Sequence, residues 1–304
     1  PLCRDSAAAP THFFLSPTMG KTATVFKDIG KACNDLLTKD YKVGKSTVEL
    51  KSKTSNGVTF TPTGTKSGDK FSGELKAKYC LSAGPECEVT VADSGVISAT
   101  IEAADMFMKG LLLSLEAERP APGKSGLLSK ANAIVDYKAE AMTCKASYDC
   151  YSGAAAVCGT FATNGVTLGC SADYSTAKSA LTKYAAACQL VQPDFTVAAK
   201  LATACGKSQT YTGTYYHKVS GDMQVGAELE KSSAKSDVGL AFGCTYKLDG
   251  ATTVKGKVDS DGILSASYKQ VISKLTTMTL AAQIDTVNLS DNKHKFGMVL
   301  NLTP

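Results

Sequence analysis

From residue 45 onward the chain alternates. Phe71, Gly73, Leu75, Ala77 and Tyr79 interleave with Ser72, Glu74, Lys76 and Lys78. Val166, Leu168, Cys170, Ala172 and Tyr174 interleave with Thr167, Gly169, Ser171, Asp173 and Ser175. Val238, Leu240, Phe242, Cys244 and Tyr246 do the same against Gly239, Ala241, Gly243, Thr245 and Lys247. A period of two sends successive side chains to opposite faces of a strand, here one face to an apolar medium and one to water. No helical half follows to cover so long a sheet. Left open, it would present edges that template aggregation, so closure is expected. The polar phase carries Lys, Asp, Glu, Thr and Gly, not the large side chains of a dry sandwich core. The pattern therefore predicts an all-β fold, a transmembrane antiparallel β-barrel with an aqueous interior.

Turn chemistry punctuates the pattern at Ser55-Asn56-Gly57, Ser67-Gly68-Asp69, Pro120-Ala121-Pro122-Gly123, Thr163-Asn164-Gly165, Ser260-Asp261-Gly262 and Ser290-Asp291-Asn292. At about 10 residues per strand plus a short turn, the barrel holds roughly 16 to 20 strands, wide enough for a water-filled channel. No run approaches the roughly 20 apolar residues of a membrane helix. That says nothing against strands.

One segment breaks the rhythm. From Val25 to Lys39 the apolar positions Val25, Ile29, Cys33, Leu36 and Leu37 form a helical stripe, with Lys27, Asp28, Lys31, Asn34, Asp35 and Lys39 opposite. About four turns of amphipathic helix are expected, with Lys31 and Asp35, and Asp35 and Lys39, spaced to pair. The stripe needs an apolar dock, and the outside of the barrel is already in lipid. The lumen is left, with Asp28, Lys31, Asp35 and Lys39 turned toward the permeation path. The expected domains are 1–18, a leader or upstream segment outside the fold; 19–44, helix and hinge; and 45–304, the barrel.

Charge and cysteine sharpen this picture modestly. The net charge is +5, from 33 Lys and Arg against 28 acids, which suits a mildly positive lumen. The cations are dispersed and no aromatic-rich basic patch occurs, so nucleic acid is not an expected partner. The 11 cysteines are odd in number, include no Cys-x-x-Cys pair, and mostly lie within alternating runs, which suits reduced thiols. The three histidines, His12, His217 and His294, show no metal spacing.

Enzymatic motifs fail. The triplets Gly20-Lys21-Thr22, Gly44-Lys45-Ser46, Gly123-Lys124-Ser125 and Gly206-Lys207-Ser208 lack the glycine five residues upstream that a phosphate loop needs; Leu15, Lys39, Glu118 and Leu201 stand there. No nucleophile elbow, zinc helix or dinucleotide fingerprint is present. Glu86 and Glu88, in a turn-rich segment, are expected to be solvated charge. No enzyme activity and no cofactor are expected.

Specific residues carry a resemblance. Phe26-Lys27-Asp28-Ile29-Gly30-Lys31-Ala32, continuing to Asp35-Leu36-Leu37-Thr38-Lys39-Asp40-Tyr41, resembles the N-terminal helix of the voltage-dependent anion channels, the mitochondrial porins. Leu50 to Val58 resembles their first hairpin. Tyr246-Lys247-Leu248-Asp249, Gly256-Lys257-Val258-Asp259-Ser260 and Ser265-Ala266-Ser267-Tyr268 are similar to the family's diagnostic segment, with a departure at Gly250. Lys295-Phe296-Gly297-Met298-Val299-Leu300-Asn301-Leu302 resembles the tag, read at Lys295, Gly297, Leu300 and Leu302, that sorts barrels to the mitochondrial outer membrane. Tyr41 to Gly44 stands where the family has a glycine-rich hinge, which makes Tyr41 and Gly44 hinge candidates.

The resemblance implies a 19-stranded barrel with parallel first and last strands and the helix inside. It also implies a voltage-gated, weakly anion-selective channel of the outer membrane, passing ATP, ADP, phosphate and chloride, in contact with membrane lipid and as a homo-oligomer. By position, Asp28, Lys31, Asp35 and Lys39 match the family's charged helix residues. Two alternatives stand beside it: the related protein-import barrel, and a porin-like barrel acting mainly as a docking platform.

Overall fold

The computed structural model describes residues 23–81, 84–123, 126–206, 208–290 and 294–303. Residues 1–18, the expected leader, lie outside these, as do Lys21, Lys124, Lys207, Asp291 and Asn292. A 3-10 turn, Phe26–Asp28, and one helix, α1 (Lys31–Thr38), precede the sheet. The strands are β1 (Ser46–Leu50, resuming after Lys51 as Ser52–Lys53), β2 (Thr59–Ser67), β3 (Lys70–Cys80), β4 (Glu86–Ala92), β5 (Ile97–Ala104), β6 (Leu111–Arg119) and β7 (Lys130–Lys138). There follow β8 (Met142–Asp149), β9 (Ala154–Thr163), β10 (Val166–Ser175), β11 (Ala180–Val191), β12 (Phe195–Ala204) and β13 (Ser208–Lys218). The last six are β14 (Met223–Ser232), β15 (Val238–Lys247), β16 (Thr252–Asp259), β17 (Ile263–Ser273), β18 (Thr276–Asp285) and β19 (Lys295–Leu302).

Each strand pairs antiparallel with the next, and the ring closes where β1 meets β19 in parallel, Ser46 opposite Met298 through Leu50 opposite Leu302. The result is a closed barrel of 19 strands. An odd count forces that parallel seam, because alternation brings the last strand back pointing the same way as the first.

The turns work as their residues dictate. Asn164 and Gly165 both take positive φ, 48° and 81°, as a two-residue type I′ hairpin requires. The faces also sort as the alternation predicts. Phe242, Leu168 and Leu115 are more than half exposed, standing outward on a wall with no protein against it. Leu113 shares that face with its register partner Val135, whereas Ser114 beside it is buried on the inner side. No helix among the described residues is long and apolar enough to cross a membrane; the strands supply the apolar wall. The ten described cysteines are free thiols, and Cys144, Cys170, Cys188 and Cys244 stand on the outer face in register with Gly159, Leu168 and Val225.

Two readings of the sequence need correction. The helix is not four continuous turns. Gly30 sits at φ 75°, a left-handed break between the 3-10 turn and the two turns of α1. Glu86 and Glu88 are not in a turn. They lie on β4, where Glu86 meets Lys78 at 2.6 Å and Glu88 meets Lys76 at 3.0 Å on the inner wall.

Candidate functional site

The segment from Ala23 to Gly44 forms a strap laid obliquely across the inner wall. At one mouth the Ala23 N–H donates to the Glu140 carbonyl, 2.9 Å, and the Thr160 hydroxyl donates to the Thr24 carbonyl, 2.8 Å. At the other mouth the Gly44 N–H donates to the Phe296 carbonyl, 2.8 Å. Between them the Gly30 N–H donates to Gln189 Oε1, 2.7 Å, in a buried site. The break at Gly30 thus feeds an N–H to the wall that a continuous helix would keep for itself.

Small residues at inward strand positions make the bed. A Cβ added to Gly169 would stand 2.8 Å from Phe26 and 3.2 Å from Ile29. One on Gly226 would stand 3.2 Å from Cys33 Sγ, and one on Gly243 2.7 Å from Leu37 and 2.8 Å from Leu36. Glycine inside a strand often marks such a close approach. Cys33, Leu36 and Leu37 pack with Tyr216 into the buried cluster under α1, and Cys33 Sγ donates to the Ala227 carbonyl at 3.3 Å. Burial, with the Glu228 charge beside it, pushes the Cys33 thiol up to about 11.

The four charges expected on the helix are all there, and they neutralise one another. Lys31 pairs with Asp28 at 3.1 Å and Lys39 with Asp35 at 2.6 Å; the Lys31–Asp35 spacing is not used. All are solvated enough that the pairs contribute about 0–1 kcal/mol. These four charges therefore add little net field of their own.

The wall beside the strap does. Lys200 Nζ lies 5.3 Å from the Phe26 ring centre, and Lys257 Nζ lies 5.2 Å from that of Tyr41. Neither makes an ion pair among the described residues. An aromatic face holds a cation without cancelling its charge. Asp40, just past α1, pairs with Lys255 at 2.7 Å and Lys269 at 3.8 Å. Burial alone would raise the Asp40 carboxyl; the Lys255 hydrogen bond and the surrounding lysine charges outweigh it and hold the group below its usual range. The opposite half of the lumen is closer to balance, with Lys76–Glu88, Lys78–Glu86 and Lys130–Glu116 pairs. Lys200, Lys255, Lys257 and Lys269 were not singled out by sequence reasoning; their polar-phase positions were visible, their partners on the strap were not.

The hinge candidates are both tied. Tyr41 lies under Lys257 with its hydroxyl buried, and Gly44, at φ 71°, bonds to β19. Of the residues expected to form a sorting tag, Lys295 is exposed, and Leu300 and Leu302 face outward with Val48 and Leu50. Gly297 is required by packing: a Cβ there would collide with the Lys42 carbonyl oxygen as the strap crosses. Among the described residues no three His, Cys, Asp or Glu gather to hold a metal.

Comparison with known proteins matches residues 23–297 to the eukaryotic porin family model. The chain is 31% identical to the mitochondrial outer membrane protein porin of Neurospora crassa, covering 90% of this chain and 96% of that one. It is 28% identical to the voltage-dependent anion-selective channel of Drosophila melanogaster, over 91% and 98%. It is 26% identical to the non-selective voltage-gated ion channel VDAC2 of Xenopus laevis, over 91% and 98%. Among solved structures, a Rhodopseudomonas blastica porin aligns at TM-score 0.48 and 13% identity, over 75% of this chain and 88% of that chain.

Proposed function

The chain belongs to the eukaryotic porin family, barrels of the mitochondrial outer membrane, and on that premise we propose that it is a passive voltage-gated channel, weakly anion-selective when open, exchanging ATP, ADP, phosphate, chloride and small metabolites. The observation that carries the selectivity is the lysine-rich wall beside the strap, where Lys200 makes no ion pair among the described residues and Lys255 and Lys269 share the Asp40 carboxylate. Fixed charges act on permeating ions within a Debye length, about 8–10 Å at physiological salt. In a wide, wet pore the preference for anions is modest. The strap, tied at both mouths along the inner wall, favours this reading over an import barrel, whose lumen must admit a polypeptide.

The test is the reversal potential of the purified chain in a planar bilayer under a potassium chloride gradient. The parent is expected on the anion side. Changing Lys31 and Lys39 to Glu leaves Asp28 and Asp35 unpaired and adds two acids, and should carry the reversal potential toward cation preference. An unmoved potential would place the strap outside the ion path and return weight to the docking-platform alternative.

A further inference from the structure

The outer wall is not smooth. On β2 and β3, Gly64 and Gly73 are register partners on the outward phase, so no side chain fills the wall there. Pro62 and Leu75 pair two residues along, Val48 flanks Gly64 on β1, and Val91 flanks Leu75 on β4. The Phe71 ring stands against the Gly64 backbone, 3.3 Å from where a Cβ would be, and is 71% exposed. Together they bound a groove of 740 Å³, within the usual size range of small-molecule sites.

One end of the groove is charged. Lys66, the register partner of Phe71, precedes the turn at Ser67-Gly68 and makes no ion pair among the described residues. Asp93, just beyond β4, also lines the groove. One of its carboxylate oxygens accepts the Gly73 N–H at 3.0 Å, and the other makes no hydrogen bond among the described residues. Both charges lie at the strand ends, at headgroup level, and the apolar stretch runs from them toward the middle of the wall. A cation and an anion at the rim match the phosphate and the ammonium of a zwitterionic headgroup, and the apolar floor matches an acyl chain. A second barrel would meet it with a broad wall that curves away, whereas an acyl chain is narrow enough to lie along it.

We propose that this groove retains one zwitterionic phospholipid, with an acyl chain over Gly64 and Gly73, its phosphate on Lys66 and its ammonium on Asp93. The inference is independent of ion selectivity. The full chain, purified and delipidated in detergent, is titrated with phosphatidylethanolamine and with phosphatidylglycerol and weighed intact in the gas phase. One ethanolamine lipid per barrel should be retained in preference to the glycerol lipid, and Asp93→Asn should erase that preference. Gly73→Leu fills the floor and should lower retention by about tenfold, the loss of some two methylene contacts.

If Gly73→Leu does not insert, fluorescence decides. The chain has no Trp, so Phe71→Trp reports the groove alone and Phe242→Trp the open wall. A trace of chain-brominated phosphatidylethanolamine should quench the first well before the second. Equal quenching, no retained lipid, equal retention of the two lipids, or a dimer that Gly73→Leu dissolves would each overturn the assignment.

Discussion

Gly243→Val tests whether the strap is held by its bed. The new Cβ would fall 2.7 Å from Leu37 and 2.8 Å from Leu36, with the Gly256 carbonyl at 3.3 Å leaving it little room to move aside. Overpacking of this kind costs about 1–3 kcal/mol. The cost falls only on the docked state, because a lifted helix no longer touches residue 243. At 1.4 kcal/mol per tenfold, the undocked population should rise about 5- to 150-fold. Docking is not abolished, since burial of Leu36 and Leu37 contributes about 1.5–3 kcal/mol each and the ties at Gly30 and Asp40 persist. The reporter is Cys33, 1% exposed when docked and with its thiol pushed up to about 11. Lifted into water, it returns toward the ordinary value near 8.5 and reacts. In a background with the other water-facing cysteines replaced, alkylation of Cys33 by a water-borne maleimide should accelerate in that range. Gly239→Val, on the same inner face but near only Glu230, should leave the rate alone. A parent-like rate in Gly243→Val would refute the packing argument.

Leu113→Lys puts a charge on the lipid face and should block vesicle insertion, at a cost of about 2–4 kcal/mol near the midplane. Leu112→Lys, inward beside Asp136, should insert; the reverse result would invert the wall. Reversing Lys200 and Lys257 to Glu should carry the reversal potential toward cations, since both lie on the wall beside the strap; an unmoved potential would count against their facing the ion path. The Asp40 tie to Lys255 stabilises fully above the unfolded carboxylate value of about 3.9 and is lost as pH falls through the lower folded one. Open-state lifetimes should therefore hold from neutral pH down to about 4 and shorten below it, whereas Asp40→Asn should shorten them at neutral pH and remove the acid response.

What the sequence disclosed and what it hid divide along a physical line. The outward face was legible because lipid asks one thing of every second residue, and Leu168, Phe242 and Leu113 answer it locally. The turns were legible because Asn164-Gly165 fixes its own backbone. The site was harder. The break at Gly30 answers to Gln189, distant in the chain, and nothing near Gly30 announces it. Lys200 and Lys257 read as ordinary polar-phase lysines until Phe26 and Tyr41 are seen beneath them. One signal was available: Gly169, Gly226 and Gly243 fall on the inward phase, and a bare strand position invites something to lie close. The ion pairs of Glu86 and Glu88 stayed hidden because their partners Lys78 and Lys76 sit across a hairpin.

The parallel seam between β1 and β19 also decides which side of the membrane each end of the barrel sees. An even number of strands returns the chain to the mouth where it entered; 19 do not. The chain comes into β1 beside Phe296 at one mouth and leaves β19 after Leu302 at the other. A reporter fused just before the first strand and one fused after the last would therefore lie in different aqueous compartments. Adding or removing a whole hairpin preserves that arrangement, whereas a single strand gained or lost would bring both reporters to the same side.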